Sequence, residues 1–186
     1  MNSDVIVLDN VVSDEAQSLI ESGLTGINFP WNYYEKSVLG HSDQNLFSDE
    51  PQLVHIMVDN CEQVSPFFIN IIPIISSIPL TINSLLKVKC NMRLSSNVIS
   101  DNVVPPHVDI IELNNYMTCI YYVNDSDGDT VIYNETEKNS NKFTEFKRIT
   151  PKRGRLLIFN GNRYHSANFP RTSKKRVVIN FNFTVK

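Results

Sequence analysis

Arg176-Val-Val-Ile-Asn-Phe-Asn-Phe183 alternates between two kinds of side chain, and that alternation decides the architecture. On an extended backbone successive side chains point to opposite faces, so Arg176, Val178, Asn180 and Asn182 share one face while Val177, Ile179, Phe181 and Phe183 share the other. The apolar face needs a partner layer, which places the Arg/Asn face toward an interior. Leu86–Leu94 reads the same way: Val88, Cys90 and Met92 go to the packed face, and Lys87, Lys89, Asn91 and Arg93 to the other. In Met117–Asn124, Thr118, Ile120 and Tyr122 share a face, so a Tyr122 that reaches the interior excludes Tyr121 from it.

Outward from these strands, the chain from about Leu86 onward is a series of short alternating runs broken by turns rich in Asn, Asp, Gly and Ser. Strands are expected at Leu86–Leu94, Tyr116–Asn124, Thr130–Tyr133, Lys142–Ile149, Leu156–Phe159 and Arg176–Val185. The N-terminal half reads differently. After a short apolar strand at Val5–Leu8, the run from Ser13 to Gly23 predicts a helix, with Ser13 as N-cap, Asp14 and Glu15 at the positive end of its dipole and Gly23 at its stop. Phe29–Tyr34 reads as a loop or irregular strand. Helical stretches are expected near Pro51–Asp59 and from Ser65-Pro66 onward, where Ser followed by Pro opens a helix well. The result is a mainly β chain with N-terminal helices, an α+β class. A single domain over 1–186 is expected, with helical support over about 1–85 and a β core over about 86–186.

Composition narrows the function classes. With 186 residues, 41% hydrophobic and 20% charged, the chain is ordinary for one globular domain. A net charge of -3 gives no basic field, so a nucleic-acid partner is not indicated. Gln63 to Leu86 carries no charge and is about long enough to span a bilayer, but Pro66, Pro73 and Pro79 and several Asn and Ser residues break it. It is expected to form a buried, broken helical segment under the sheet, with no membrane partner. The start MNSDVIVLDN lacks a basic region followed by an apolar stretch, and a cytoplasmic location is expected. Cys61, Cys90 and Cys119 are unclustered and read as reduced and mostly buried.

Val104-Pro-Pro-His-Val-Asp109 sets His107 and Asp109 two positions apart, on one side of an extended segment. One strand end can thus supply two metal ligands. The best third ligand is His165, just beyond the apolar run Leu156–Phe159. Two histidines and a carboxylate with open positions suit non-haem iron. The spacing alone is weak, since His41-Ser42-Asp43 repeats it, but no strand follows that segment and it reads as a solvated loop. His55, within Leu-Val-His-Ile-Met, reads as a packed histidine. The turn Asp125-Ser-Asp-Gly-Asp129 has spaced aspartates, yet Gly128 is misplaced for a calcium loop and an acidic turn is expected.

The ordered set His107-Val-Asp109, Thr118-Cys-Ile-Tyr-Tyr-Val-Asn124, Asp127-Gly-Asp-Thr130, Arg155-Leu-Leu-Ile-Phe159, His165 and Arg176 resembles prolyl 4-hydroxylases and similar Fe(II)- and 2-oxoglutarate-dependent dioxygenases, including small phage-encoded members. The resemblance covers about Leu86 to Val185. It implies a double-stranded β-helix, a cupin-like jelly roll backed by helices, working with Fe(II), 2-oxoglutarate as cosubstrate and dioxygen. It also implies His107, Asp109 and His165 as metal ligands, Arg176 as the partner of the cosubstrate's distal carboxylate and Tyr122 as a hydrogen-bond donor to the same group. Guanidinium geometry independently favours an arginine for a buried dicarboxylate. Arg171, Lys174 and Lys175 read as a solvated turn. Asn91 and Asn180 are further cosubstrate candidates, and Arg93 a candidate for the same pocket or that of the substrate. The expected reaction is hydroxylation of an aliphatic C–H bond. Ser95–Val104 replaces the tyrosine-rich approach of many prolyl hydroxylases, so a prolyl residue and a small molecule both stay open as substrate. The rival readings are a cupin-like metal-binding module and a non-catalytic binding domain. A simple metal module needs no dicarboxylate clamp, and intact metal ligands argue against a non-catalytic domain.

Overall fold

The alternating segment becomes β11 (Lys175–Val185), which lies inside the main sheet. In the computed structural model, which describes residues 5–36, 51–95, 104–136 and 142–186, it pairs antiparallel with β5 (Ile82–Leu94) on one side and β6 (Met117–Tyr122) on the other. With β1 (Ile6–Leu8), β2 (Asn32–Tyr34), β3 (Gln52–Asp59) and β9 (Leu156–Asn160), the sheet runs β1-β9-β6-β11-β5-β3-β2, and β4 (Glu62–Gln63) adds to β3. A second sheet, β10-β7-β8, is formed by β7 (Thr130–Tyr133), β8 (Glu145–Ile149) and β10 (His165–Ala167). This mostly antiparallel arrangement is the double-stranded β-helix.

Periodicity determines what each face meets. Val177, Ile179, Phe181 and Phe183 are fully buried and cluster with Ile20 and Leu24 of α1 (Asp14–Thr25), with Ile71 of the 3-10 segment Pro66–Ile71 and with Ile74 of α2 (Ile72–Ser77). Val88, Cys90, Met92 and Tyr121 join that cluster from the neighbouring strands. Each such side chain contributes on the order of 1.5–3 kcal/mol through removal from water. The opposite face forms a smaller cluster in which Ile120, Tyr122, Leu157, Phe159 and Val178 meet Ile132 and Ile149 of the second sheet. Polar residues of β5, β6 and β11 complete this interior and line the site.

Three expectations change. Pro51–Asp59 is strand, not helix: β3 spans Gln52–Asp59 and pairs with β5. A register shift between Ile56 and Val58 interrupts its alternation, so burial follows a helix-like rhythm along a bulged strand. The first 85 residues are therefore not only helical support, since they supply β1 to β4 and the start of β5. The first helix also runs past Gly23 to Thr25; Ser13 does cap its start, accepting from Ala16 N at 3.3 Å. The uncharged stretch forms the 3-10 segment and α2 and then enters β5. Among the described residues no helix is long and apolar enough to cross a membrane.

Candidate metal centre and its cavity

His107 and His165 come together by backbone pairing. Each donates its N–H to the other's carbonyl, at 3.0 and 2.9 Å, which joins the His-x-Asp segment to β10 and sets the two rings 4.6 Å apart. Asp109 lies two residues on, with His165 Nε2 3.7 Å from its Oδ2. One candidate ligand atom from each of the three residues lies within 4.8 Å of the others, the spacing of donors around one ion. His107 Nδ1 is 2.9 Å from the Pro105 carbonyl and His165 Nδ1 3.5 Å from that of Arg163. Donation from Nδ1 leaves each Nε2 as a lone-pair donor, as metal-binding histidines require.

The carboxylate is held from behind. Asn180 Nδ2 donates to both Asp109 oxygens at 3.1 Å, Asn182 Nδ2 donates to Oδ2 at 2.9 Å and Thr118 Oγ1 donates to Oδ2 at 3.3 Å. Tyr116 fixes the next residue, its hydroxyl accepting from Ile110 N at 3.1 Å. Burial drives His107 protonation down to about 3, with His165 adding to the effect and Asp109 opposing it. His165 is lowered too, by burial first. Burial alone would raise the Asp109 carboxyl, but the facing His165, His107 and Lys89 and the Asn182 hydrogen bond outweigh it and hold it well below the usual range. Neutral imidazoles and an ionised carboxylate form a donor set ready for a divalent cation.

Arg176 occupies the same cavity, buried, with Nε donating to the Gly128 carbonyl at 2.7 Å and Nη2 to Thr130 Oγ1 at 2.8 Å. Tyr122 is fully buried beside it, its hydroxyl donating to the same Thr130 oxygen at 2.7 Å, and burial pushes that phenol up to about 12. Gly128 permits this close approach, since a Cβ there would stand 2.7 Å from the Asn168 carbonyl and 2.9 Å from Arg176 Cδ. The neighbouring acids have structural work. Asp127 accepts from the backbone N–H groups of Arg171, Thr172 and Ser173 at 2.8 to 3.1 Å, and Asp125 from Arg153 N at 2.8 Å, so the spaced aspartates brace the approaches to β9 and β11.

The residues singled out from sequence thus meet in one place. His107, Asp109, His165, Arg176, Asn91, Asn180 and Arg93 line a cavity of about 500 Å³ including its open mouth. Asn180 faces Asp109 through its amide, and Tyr122 reaches the cavity's arginine through Thr130. His55 is packed and satisfied, with Nε2 2.7 Å from Ser65 Oγ and Nδ1 2.9 Å from the Pro30 carbonyl. His41-Ser42-Asp43 lies outside the described residues. Cys61, Cys90 and Cys119 are free thiols, the last two buried. Sequence reading did not nominate Gln52, Lys89 or Thr130, which also line the cavity, nor Asn182 and Thr118, which hold Asp109. The faces shared by Asn182 with Asn180, and by Thr118 with Tyr122, carried that signal.

Residues 94–184 match the family model described as the 2OG-Fe(II) oxygenase superfamily. No curated protein sequence matches the chain significantly. Among solved structures, a prolyl hydroxylase from Trichoplax adhaerens, in complex with a hypoxia inducible factor oxygen degradation domain peptide fragment, superposes with a TM-score of 0.64 at 13% identity, covering 99% of this chain and 84% of that one. HygX from Streptomyces hygroscopicus, with nickel and 2-oxoglutarate bound, gives a TM-score of 0.62 at 11% identity over 99% and 84%. The non-heme alpha ketoglutarate dependent epimerase SnoN from nogalamycin biosynthesis gives 0.65 at 10% identity over 99% and 79%. At these identities the likeness is one of fold.

Proposed function

Because the chain belongs to the 2OG-Fe(II) oxygenase superfamily and is a 2-oxoglutarate-dependent Fe(II) dioxygenase, we propose that it hydroxylates an aliphatic C–H bond, with His107, Asp109 and His165 holding the iron and Arg176 the cosubstrate. The observation that carries this reading is the joint placement of the three candidate ligands and Arg176 on one cavity.

The donor set fits the metal: two neutral nitrogens and one oxygen, each steered by a hydrogen bond from the surrounding chain, with the cavity side left open. When bound, iron with 2-oxoglutarate and dioxygen supplies the oxidising power, the cosubstrate leaving as succinate and carbon dioxide while one oxygen atom enters the substrate. The chain's own residues bind and orient. Arg176, fixed by Gly128 and Thr130, offers a buried guanidinium to a carboxylate. Tyr122 steadies Thr130 and closes the wall behind it. Asn180, Asn182 and Thr118 fix the Asp109 carboxylate, and no side chain is required as a separate acid or base. A metal-binding module without oxygenase activity has no need of a buried guanidinium on the wall of its metal cavity.

The test is succinate formation by protein reconstituted anaerobically with Fe(II), then given 2-oxoglutarate and air, with mass spectrometry of proline-containing peptides and free aliphatic amino acids for the gain of one oxygen. Wild-type protein should form succinate and His107→Ala should not. A folded wild-type protein that forms none would sink the proposal. The likeness to a prolyl hydroxylase makes proline the first substrate to try.

A further inference from the structure

Two of the three candidate ligands are fixed directly to each other. His107 and His165 exchange backbone hydrogen bonds, so the bridge between them sets their spacing. Asp109 lies beyond that bridge. Asn180, Asn182 and Thr118 aim its carboxylate, and their hydrogen bonds end on its oxygens, so the main chain that carries Asp109 needs a holder of its own. From Asp109 the chain turns through residues 110–115 and returns as β6, which it enters at Tyr116.

Tyr116 is attached at both of its ends. Its side chain is buried, and its hydroxyl accepts from Ile110 N at 3.1 Å, on the residue that follows Asp109. The ring lies flat against Gly161, the first residue after β9 on the short connection to His165, where a Cβ would overlap ring atoms Cδ2, Cε2 and Cζ. The two loops are also joined through their backbones: Gly161 N donates to the Tyr116 carbonyl at 2.9 Å, and Asn162 Nδ2 donates to the Asn114 carbonyl. One rigid, planar side chain therefore spans from the arm that carries Asp109 to the arm that carries His165. Tyr116 and Thr118 stand two positions apart at the entry to β6, on one side of an extended chain. Thr118 meets the carboxylate, and Tyr116 meets the main chain behind it.

We propose that Tyr116 is a positioning residue of the metal centre, a strut that fixes how far the Asp109 carboxylate stands from His165 and so sets the affinity and geometry of the ligand set. The inference rests on the reading of His107, Asp109 and His165 as metal ligands. Partners that orient ligands without touching the metal tune its binding, and a site is only as precise as the groups that support it. Without the hydroxyl, Ile110 N loses its acceptor and the Asp109 arm can shift on its turn, while the ring still fills the space beside Gly161.

The experiment compares wild type, Tyr116→Phe and Tyr121→Phe. Tyr121 is an equally buried tyrosine of β6 that packs in the helix-side cluster, away from the metal ligands, and its loss of a hydroxyl controls for general loosening of the fold. Fe(II) affinity is read anaerobically by competition with a chromogenic chelator. Ligand geometry is read from the visible d–d bands of the Co(II)-substituted protein, and stability from the melting temperature of the metal-free protein. Tyr116→Phe should weaken Fe(II) binding about tenfold and change the position or intensity of the Co(II) bands. Tyr121→Phe should leave both at their wild-type values, whatever its melting temperature. Wild-type Fe(II) affinity or a wild-type Co(II) spectrum in Tyr116→Phe would overturn the proposal. So would an equal change of both in Tyr121→Phe, which would trace the effect to stability alone. A folded wild-type protein that binds neither ion would instead overturn the metal-centre reading, and this inference with it.

Discussion

The two walls of the cavity differ in origin and in chemistry. One wall, with Asp109, Thr130, His165, Arg176 and Asn180, comes from the segment that matches the family model, and its polar groups are tied to one another or to the second sheet. The other, with Gln52, Lys89, Asn91 and Arg93, comes from β3 and β5 ahead of that segment, and there Gln52 accepts from both Asn91 and Arg93. The difference teaches that a single cavity is closed by segments from both halves of the chain. The candidate metal ligands and Arg176 come from the C-terminal part of the β-helix, and β3 and β5 of the same main sheet supply the facing side chains.

The comparison breaks if the first wall can be loosened without consequence. Asn182→Ala removes the shortest hydrogen bond to Asp109 and should weaken Fe(II) affinity about 10- to 100-fold, measured by competition with a chromogenic chelator. Unchanged affinity would mean that the amide merely fills space. Gly128→Ala sharpens the division inside that wall. Its Cβ would press on both the Asn168 carbonyl and Arg176 Cδ, so 2-oxoglutarate affinity should fall about tenfold while Fe(II) affinity holds, by titration calorimetry of the loaded and unloaded protein.

The smallest effect is on stability. The folded metal-free protein keeps His107 neutral down to about 3, whereas the unfolded chain takes up that proton near 6.5. The unfolded state binds more protons between those values, so the contribution is complete above about pH 6.5 and is lost as pH falls toward 3. Depression of Asp109 acts in the same direction at the lower end of that range. His107→Gln should flatten the acid limb of the stability curve, a shift of a few degrees in melting temperature between pH 7 and pH 5. An unchanged slope would remove His107 from the buried corner.

What was legible in the sequence follows the same division. Period-two alternation placed Arg176 and Asn180 inside and Phe181 and Phe183 against the helices, and it separated Tyr122 from Tyr121. Such alternation is a local property and survives translation into structure. The spacing of His107 and Asp109 was legible, but the way they face one ion was not. Asp109 leaves the bridge that holds His107, and its aim is set by Asn180 and Asn182, more than seventy residues away. The three-residue strand β10 was too short to show a period. The bulge in β3 disguised a strand as a helix, and with it Gln52, the residue that ties the second wall together. Lys89 was placed on the correct face, yet an outward polar face has the same pattern. Only the neighbouring β3 turns that face into a wall.

The most direct measurement is the visible absorption of the anaerobic protein titrated with Fe(II) and 2-oxoglutarate, in wild type, His165→Ala and Arg176→Gln. The wild-type protein should develop the iron–2-oxoglutarate charge-transfer band, His165→Ala should show none, and Arg176→Gln should need about 100-fold more 2-oxoglutarate to reach it. A folded wild-type protein without the band, or a band indifferent to both substitutions, would contradict the assignment of this cavity as an iron and 2-oxoglutarate site.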